Sequence, residues 1–260
     1  MISKLPNQEL TDQEYYQIYK NVFDYGSESV LARSDQKSSV IKLFRKNFGH
    51  NQASIETIET IRENKFQKLM LLYQHKKKLG EIYPVATYSW HGSFVAYKMP
   101  YIDLPTYQDL CGISTSDHYR ILKSIKEKLI RWHELEIIYG DIKDDNIFID
   151  PCTFQVDFCD LDNIQIGKCS IDLFSIYATK FVQDYGVLDE KLDSYMLNLM
   201  TIEKLEQVRG WYDEVLNWIY QNQVPCYFTL STAGEIIKQM RKIDKHYQGK
   251  YIIDQIKNGL

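Results

Sequence analysis

Between residues 27 and 100 the apolar pattern changes period twice, and that order restricts the fold more than any single motif. SESVLAR (27–33) and SSVIKLF (38–44) are rich in β-branched and apolar residues on either side of the polar SDQK, which predicts a hairpin. From Ala53 to Lys78 the period lengthens: Ile55, Ile58, Ile61, Phe66, Leu69, Met70 and Tyr73 recur at helical spacing. VATYSW (85–90) and SFVAYKM (93–99), joined by HGS, predict a second hairpin. Residues 8–23 read as a short helix opened by Thr11 or Asp12 as cap. After Pro105 the character becomes helical. Residues 116–137 set Ile121, Ile125, Leu129, Trp132 and Leu135 along one face. FQVDFCDLDN (154–163) is a strand with Val156 and Phe158 pointing one way, and from Ile171 onward almost everything reads as helix. The expected class is α+β, with a sheet-rich part over residues 1–103 and a larger helical part over 104–260. Pro100 and Pro105 flank the junction.

Composition removes several classes. The 44% hydrophobic and 25% charged content is that of an ordinary soluble protein, and a net charge of −4 offers no global attraction to nucleic acid or anionic lipid. The cysteines at 111, 152, 159, 169 and 226 contain no CxxC pair, which suits reduced thiols in a cytoplasm rather than a zinc site or a disulfide frame. The N-terminus lacks the apolar stretch of a signal, and no apolar run approaches the roughly 20 residues that span a bilayer. No nucleic-acid or membrane partner is expected. Oligomeric state is left open.

Residues 139–149, YGDIKDDNIFI, crowd three acids, a lysine and an asparagine into a few positions before an apolar run. A solvated acidic turn has this composition. So does a loop that holds a base and a metal ligand. The neighbouring segments decide between them.

The order of elements and the residues at their joints resemble the eukaryotic-type Ser/Thr protein kinases, over roughly residues 20–180. The resemblance implies a bilobal kinase-like fold with a β-rich N-lobe and a helical C-lobe. In D-I-K-x-x-N, Asp141 would orient the attacking hydroxyl and accept its proton, Lys143 would offset charge on the transferring phosphoryl, and Asn146 would ligate a metal. LIRWHELEII before the loop resembles the helix that precedes the family's catalytic loop, with His133 a packing and hydrogen-bonding residue. In VDFCDLDN, Asp160 takes the place of the metal-binding acid and Leu161 that of a packing Phe. Asp162 stands where the family has Gly, either adding an oxygen ligand for the metal or capping a turn. Asp157 is a weaker register for the metal ligand.

Lys42, in VIKLF, resembles the strand lysine that pairs with nucleotide phosphates, and Glu63 its helix partner, with Glu56 and Glu59 as neighbouring alternatives. Gly26 and Ser27 in YGSESV would approach the phosphates. Met99, Pro100 and Tyr101 would border adenine.

Departures from the family carry their own implications. Gly140 replaces an arginine, so no cation waits for an activating phosphate, and turnover is expected to need no phosphosite at Ser170. Asp172, in IDLFSIYA, would anchor the catalytic loop. That leaves only NIQIGKCS between it and the DLD triplet, with a reduced docking shelf. Trp211, Tyr212, Trp218 and Tyr220 read as core before partner surface.

The implied activity is transfer of the γ-phosphate of ATP, with Mg²⁺ or alternatively Mn²⁺, to a Ser or Thr hydroxyl of a protein. A small-molecule kinase of the aminoglycoside or choline type and a nucleotide-binding pseudokinase are the alternatives. Small-molecule kinases tend to carry His or Asn where Lys143 stands. Size and divergence imply a bacterial, phage or viral member, with a host cytoplasm as its site if it is an effector.

Overall fold

The structure is a computed structural model of the 260-residue chain. It describes residues 5–26, 28–35, 38–45, 55–74, 83–166 and 189–206, with 238, 241 and 242. The class is mixed α+β. The chain divides into two compact units, residues 1–103 with 159–162, and residues 104–158 with 163–260. The first unit therefore takes residues 159–162, which the sequence assigned to the helical part.

The first unit is built on six strands, β1 (Asn7–Leu10), β2 (Val22–Tyr25), β3 (Ser29–Arg33), β4 (Ser39–Phe44), β5 (Ala86–Trp90) and β6 (Ser93–Pro100). Their order is β1-β5-β6-β4-β3-β2, antiparallel throughout except for parallel β1 and β5. Both expected hairpins are present. In the second, His91 and Gly92 take φ of 51° and 76°, the paired positive values that match a two-residue turn to the twist of its strands.

Two helices accompany the sheet. α1 (Asp12–Lys20) starts at Thr11, whose side chain accepts from the Glu14 amide while Glu14 caps the Thr11 amide in return. The expected helix over 8–23 is thus shorter, because residues at both its ends pair as β1 and β2. Nothing in the polar NQEL shows that a parallel partner waits at Ala86–Trp90. Tyr15 of α1 stacks on Trp90 at 4.1 Å and joins Leu10, Val30, Ala32, Ile41, Leu43, Val95 and Ala96 in one core. β4 is buried at all six positions, so Lys42 and Phe44 point to the opposite face from Ile41 and Leu43. α2 (Ile55–Gln74) meets that face, with Lys65 Nζ 5.4 Å from the Phe44 ring centre. Leu69 and Leu72 on it are fully buried.

In the second unit, α3 (Thr115–His133) is capped by Ser114 and buries Ile121, Leu122, Ile125, Leu129 and Trp132. It stops before the expected residue 137. Glu136 turns left-handed, at φ 59°, and Ile137–Ile138 (β7) pairs instead with β10 (Gln165–Ile166). β8 (Ile147–Ile149) and β9 (Val156–Phe158) form a second ribbon, with Val156 and Phe158 both buried. Trp132, Tyr139 and Phe158 interlock, Tyr139 stacked on Phe158 at 4.6 Å and Trp132 edge-on to both. α4 (Lys191–Glu206) buries Leu192, Asp193, Met196, Leu197, Met200, Thr201 and Lys204 along one stripe.

Among the described residues no helix is long and apolar enough to cross a membrane. Among the described residues Cys111 and Cys152 are exposed and Cys159 is partly buried.

Gly92 has open space where a Cβ would stand, so Gly92→Ala tests its positive φ alone. The expected cost is about 1 kcal/mol in urea denaturation, and no change in midpoint would contradict the turn assignment.

Candidate functional site

Lys42 lies directly opposite Tyr97 in the β4–β6 register, and both side chains leave the sheet on the same side. They meet Asp162, which is fully buried in the 3₁₀ turn Leu161–Asn163. Asp162 Oδ1 accepts from Lys42 Nζ at 2.6 Å and from Tyr97 Oη at 2.9 Å, and Oδ2 accepts from Lys65 Nζ at 2.7 Å. Lys65 Nζ also reaches Glu28 Oε2 at 2.9 Å. Lys42 has a second carboxylate partner in Asp160, which holds φ at 60°, a left-handed conformation costly for a residue with a Cβ.

The protonation states follow from this geometry. Burial by itself would raise the Asp162 carboxyl, but the Lys42 and Lys65 ammonium groups outweigh it and hold the group well below the usual carboxylate range. Burial by itself would lower the Lys65 ammonium, but Asp162 and Glu28 outweigh it and raise the group above its ordinary value. Tyr97 is pushed well up by burial and by the Asp162 charge, so its hydroxyl stays a donor.

The second unit presents the 139–146 loop. Gly140 takes a φ of 74°, open to glycine without strain. Asn146 is buried, and its Nδ2 donates to Asp141 Oδ2 at 2.9 Å and to the Asp141 carbonyl at 3.1 Å. Lys143 Nζ sits 3.0 Å from Asp141 Oδ2, with its side chain about half exposed. Burial lifts the Asp141 carboxyl above its ordinary value, in spite of Lys143 and Asn146.

The loop is held by charges from helices. Asp193, without solvent exposure, accepts from the Tyr139 amide at 2.8 Å, the Gly140 amide at 2.7 Å and His133 Nε2 at 2.8 Å. Lys204 Nζ pairs with Asp144 Oδ2 at 2.7 Å. On the adjoining ribbon Lys128 of α3 pairs with Asp157 and donates to the Val156 carbonyl at 2.9 Å.

Several expectations need correction. Glu63 is not a partner of Lys42: it is exposed on α2 and accepts from Gln67 Nε2 at 2.6 Å, because the helix phase that buries Leu69 and Leu72 turns Lys65 inward. Asp162 is fully buried, with both its oxygens bonded to ammonium groups. The amides of Tyr139 and Gly140 are held by Asp193, an anchor that the sequence reading did not single out. The Gly26 amide is spent on the Ser29 carbonyl at 2.9 Å inside its own turn, which removes the donor expected to approach a phosphate.

The remaining expected residues stand as follows. Met99 is buried and paired with Val40, while Tyr101 is half exposed and donates its amide to the Ser38 carbonyl at 2.8 Å. Asp157 is tied to Lys128, a packing role. Ser27, Ser170, Asp172, Trp211, Tyr212, Trp218 and Tyr220 lie outside the described residues.

The residues missed by sequence reading, Lys65, Asp193 and Lys204, share a signal. Each is a charged residue in the apolar phase of a helix, Lys65 with Leu69 and Leu72, Asp193 and Lys204 with Met196, Leu197 and Met200.

No protein-family model matches the chain, and no curated protein matches it either.

Asp193→Ala leaves two buried amides and an imidazole without their acceptor. We expect it to lower stability by about 3 kcal/mol or more, read from the urea midpoint. A loss under about 0.5 kcal/mol would show that the carboxylate does not anchor the loop.

Proposed function

We propose that this chain is an ATP-dependent phosphotransferase of protein kinase-like fold that moves the γ-phosphate to a protein Ser or Thr hydroxyl. The observation that carries the reading is the 139–146 loop. There a carboxylate, Asp141, stands with an amide donor and an ammonium on its oxygen, on a backbone clamped by a buried acid. Phosphoryl transfer asks for positioning and charge neutralisation more than for covalent chemistry, and this loop supplies both.

In the proposed reaction the acceptor hydroxyl gives its proton to Asp141 while its oxygen forms a bond to the γ-phosphorus. The bond from that phosphorus to the bridging oxygen breaks, and ADP leaves. The raised affinity of Asp141 for a proton suits an acceptor. Lys143, with an exposed stem, offsets charge on the transferring group. Lys42 is the cation for the remaining phosphates of the nucleotide.

By resemblance the metal ligands would be Asn146 and Asp160, oxygen donors of the kind a hard divalent ion such as Mg²⁺ prefers. The Asp160 carboxylate is one-quarter exposed, and in the other unit the Asn146 side-chain nitrogen is bonded to Asp141. When bound, such an ion neutralises phosphate charge.

A protein acceptor is favoured over a small molecule by Lys143. Gly140 leaves no arginine beside Asp141 to read a phosphate.

Asp141→Asn tests the reading with γ-labelled ATP and a generic protein acceptor. Transfer is expected to fall roughly 10²–10⁴-fold with nucleotide binding retained. Wild type that binds nucleotide and transfers nothing would instead mark a binding module, and label found only on small metabolites a small-molecule kinase. Phosphatase-treated protein is expected to keep its full rate, since no arginine precedes Asp141. A required phosphosite would overturn that part.

A further inference from the structure

Lys42 is held by two carboxylates that differ in what they are free to do. Asp160 is one-quarter exposed and is the oxygen donor offered above to a cation. Asp162 has no exposure at all, and its three partners are Lys42, Tyr97 and Lys65. The shared oxygen, Oδ1, is fixed from two directions by groups that the β4–β6 register places side by side. The other oxygen is fixed by α2 through Lys65, and Lys65 in turn ties α2 to Glu28 at the start of β3. The Phe44 ring lies within cation–π range of both ammonium groups, at 5.9 Å from Lys42 and 5.4 Å from Lys65. Glu63, the residue expected to orient Lys42, is on the solvent side of α2 and bonded within its own helix.

We propose that Asp162 is the residue that positions Lys42, with Tyr97 fixing the shared carboxylate oxygen and Lys65 balancing the other. Helix and strand are thereby joined through a third element instead of pairing with each other. The helix supplies a cation, and the anion comes from the 161–163 turn. The functional consequence, that Lys42 is aimed at nucleotide phosphates, rests on the proposed phosphotransferase reading. The arrangement has a use there. A cation held at Asp160 would compete with Lys42 for that carboxylate, and Asp162, with no solvent exposure, would keep the lysine in place. Asp162 is a positioning residue in this scheme and touches no substrate.

The test uses the full chain as wild type, Glu63→Gln, Asp162→Asn, and Asp162→Asn combined with Lys65→Met. Asp162→Asn alone leaves two buried ammonium groups around one amide and can unfold the unit. The double variant removes one anion and one cation together, so charge balance is kept. Circular dichroism verifies the fold of each.

The readout is acylation of Lys42 by an acyl-phosphate derivative of ATP, located by peptide mass spectrometry. In that step the lysine nitrogen forms an amide, the acyl–oxygen bond breaks and the nucleotide leaves. The rate therefore reports where the amine stands and needs no turnover. KM for ATP and kcat are measured alongside.

Both Asp162 variants are expected to label Lys42 at least ~10-fold more slowly and to show a raised KM for ATP, with Glu63→Gln within ~2-fold of wild type. A folded double variant that labels like wild type overturns the proposal, and so does a ~10-fold loss in Glu63→Gln. If wild type takes no label that excess ATP suppresses, the nucleotide reading itself has failed. Positioning is then decided by the ¹³Cε–¹⁵Nζ resonance of Lys42. A protected signal lost in the double variant and kept in Glu63→Gln supports it, and a signal unchanged in the double variant overturns it.

Discussion

A carboxylate sealed from water must be met by donors from elsewhere in the chain, and both units are organised around that constraint. In the first unit the acid is Asp162, met by Lys42 and Tyr97 from the sheet and Lys65 from α2. In the second it is Asp193, met by two consecutive loop amides and the His133 ring. The cost of leaving either acid without partners far exceeds what a surface pair contributes. These two groups therefore determine where the strand lysine and the 139–146 loop stand.

The same logic recurs through the helices. α2, α3 and α4 each carry a charged residue within the apolar stripe, and each such residue meets a charged or polar group near a candidate site residue. Lys65 meets Asp162, Lys128 meets Asp157, Asp193 meets the amides before Asp141, and Lys204 meets Asp144. The helices that build the cores thus also set the electrostatics of the acidic segments. Under the proposed phosphotransferase reading, the parts that act on substrate, Asp141 and Lys143, keep some exposure. The parts that hold them do not.

Much of this was legible from local pattern. The hairpins were readable because period-two alternation and a His-Gly turn are short-range signals, and α1 because Thr11 and Glu14 form a reciprocal cap within one turn. The stripe of α3 was readable from Ile121 to Trp132 for the same reason. Lys42, Asp141, Asn146 and Asp160 were singled out from short motifs, and the structure gives each a polar partner. What stayed hidden was long-range. Asn7–Leu10 is a strand only because β5 lies beside it. Choosing among the acids of α2 by resemblance failed because burial, which turns Lys65 inward and Glu63 outward, is decided by what the helix packs against. Asp193 was not singled out because a lone acid in an apolar run gives no sign in sequence of which amides it will meet in the fold.

By itself the sequence determined the periodicity, the turns and caps, and the kinds of side chain gathered in YGDIKDDN and DLDN. All of these depend on residues a few positions apart. The tertiary structure alone decided which charge answers which. A buried ion is stabilised by whatever donors reach it through space, and the partners of Asp162 come from residues 42, 65 and 97 while those of Asp193 come from residues 133, 139 and 140. Pairing over such separations leaves no periodic trace in one chain, because it depends on distance in the fold rather than on spacing along the backbone.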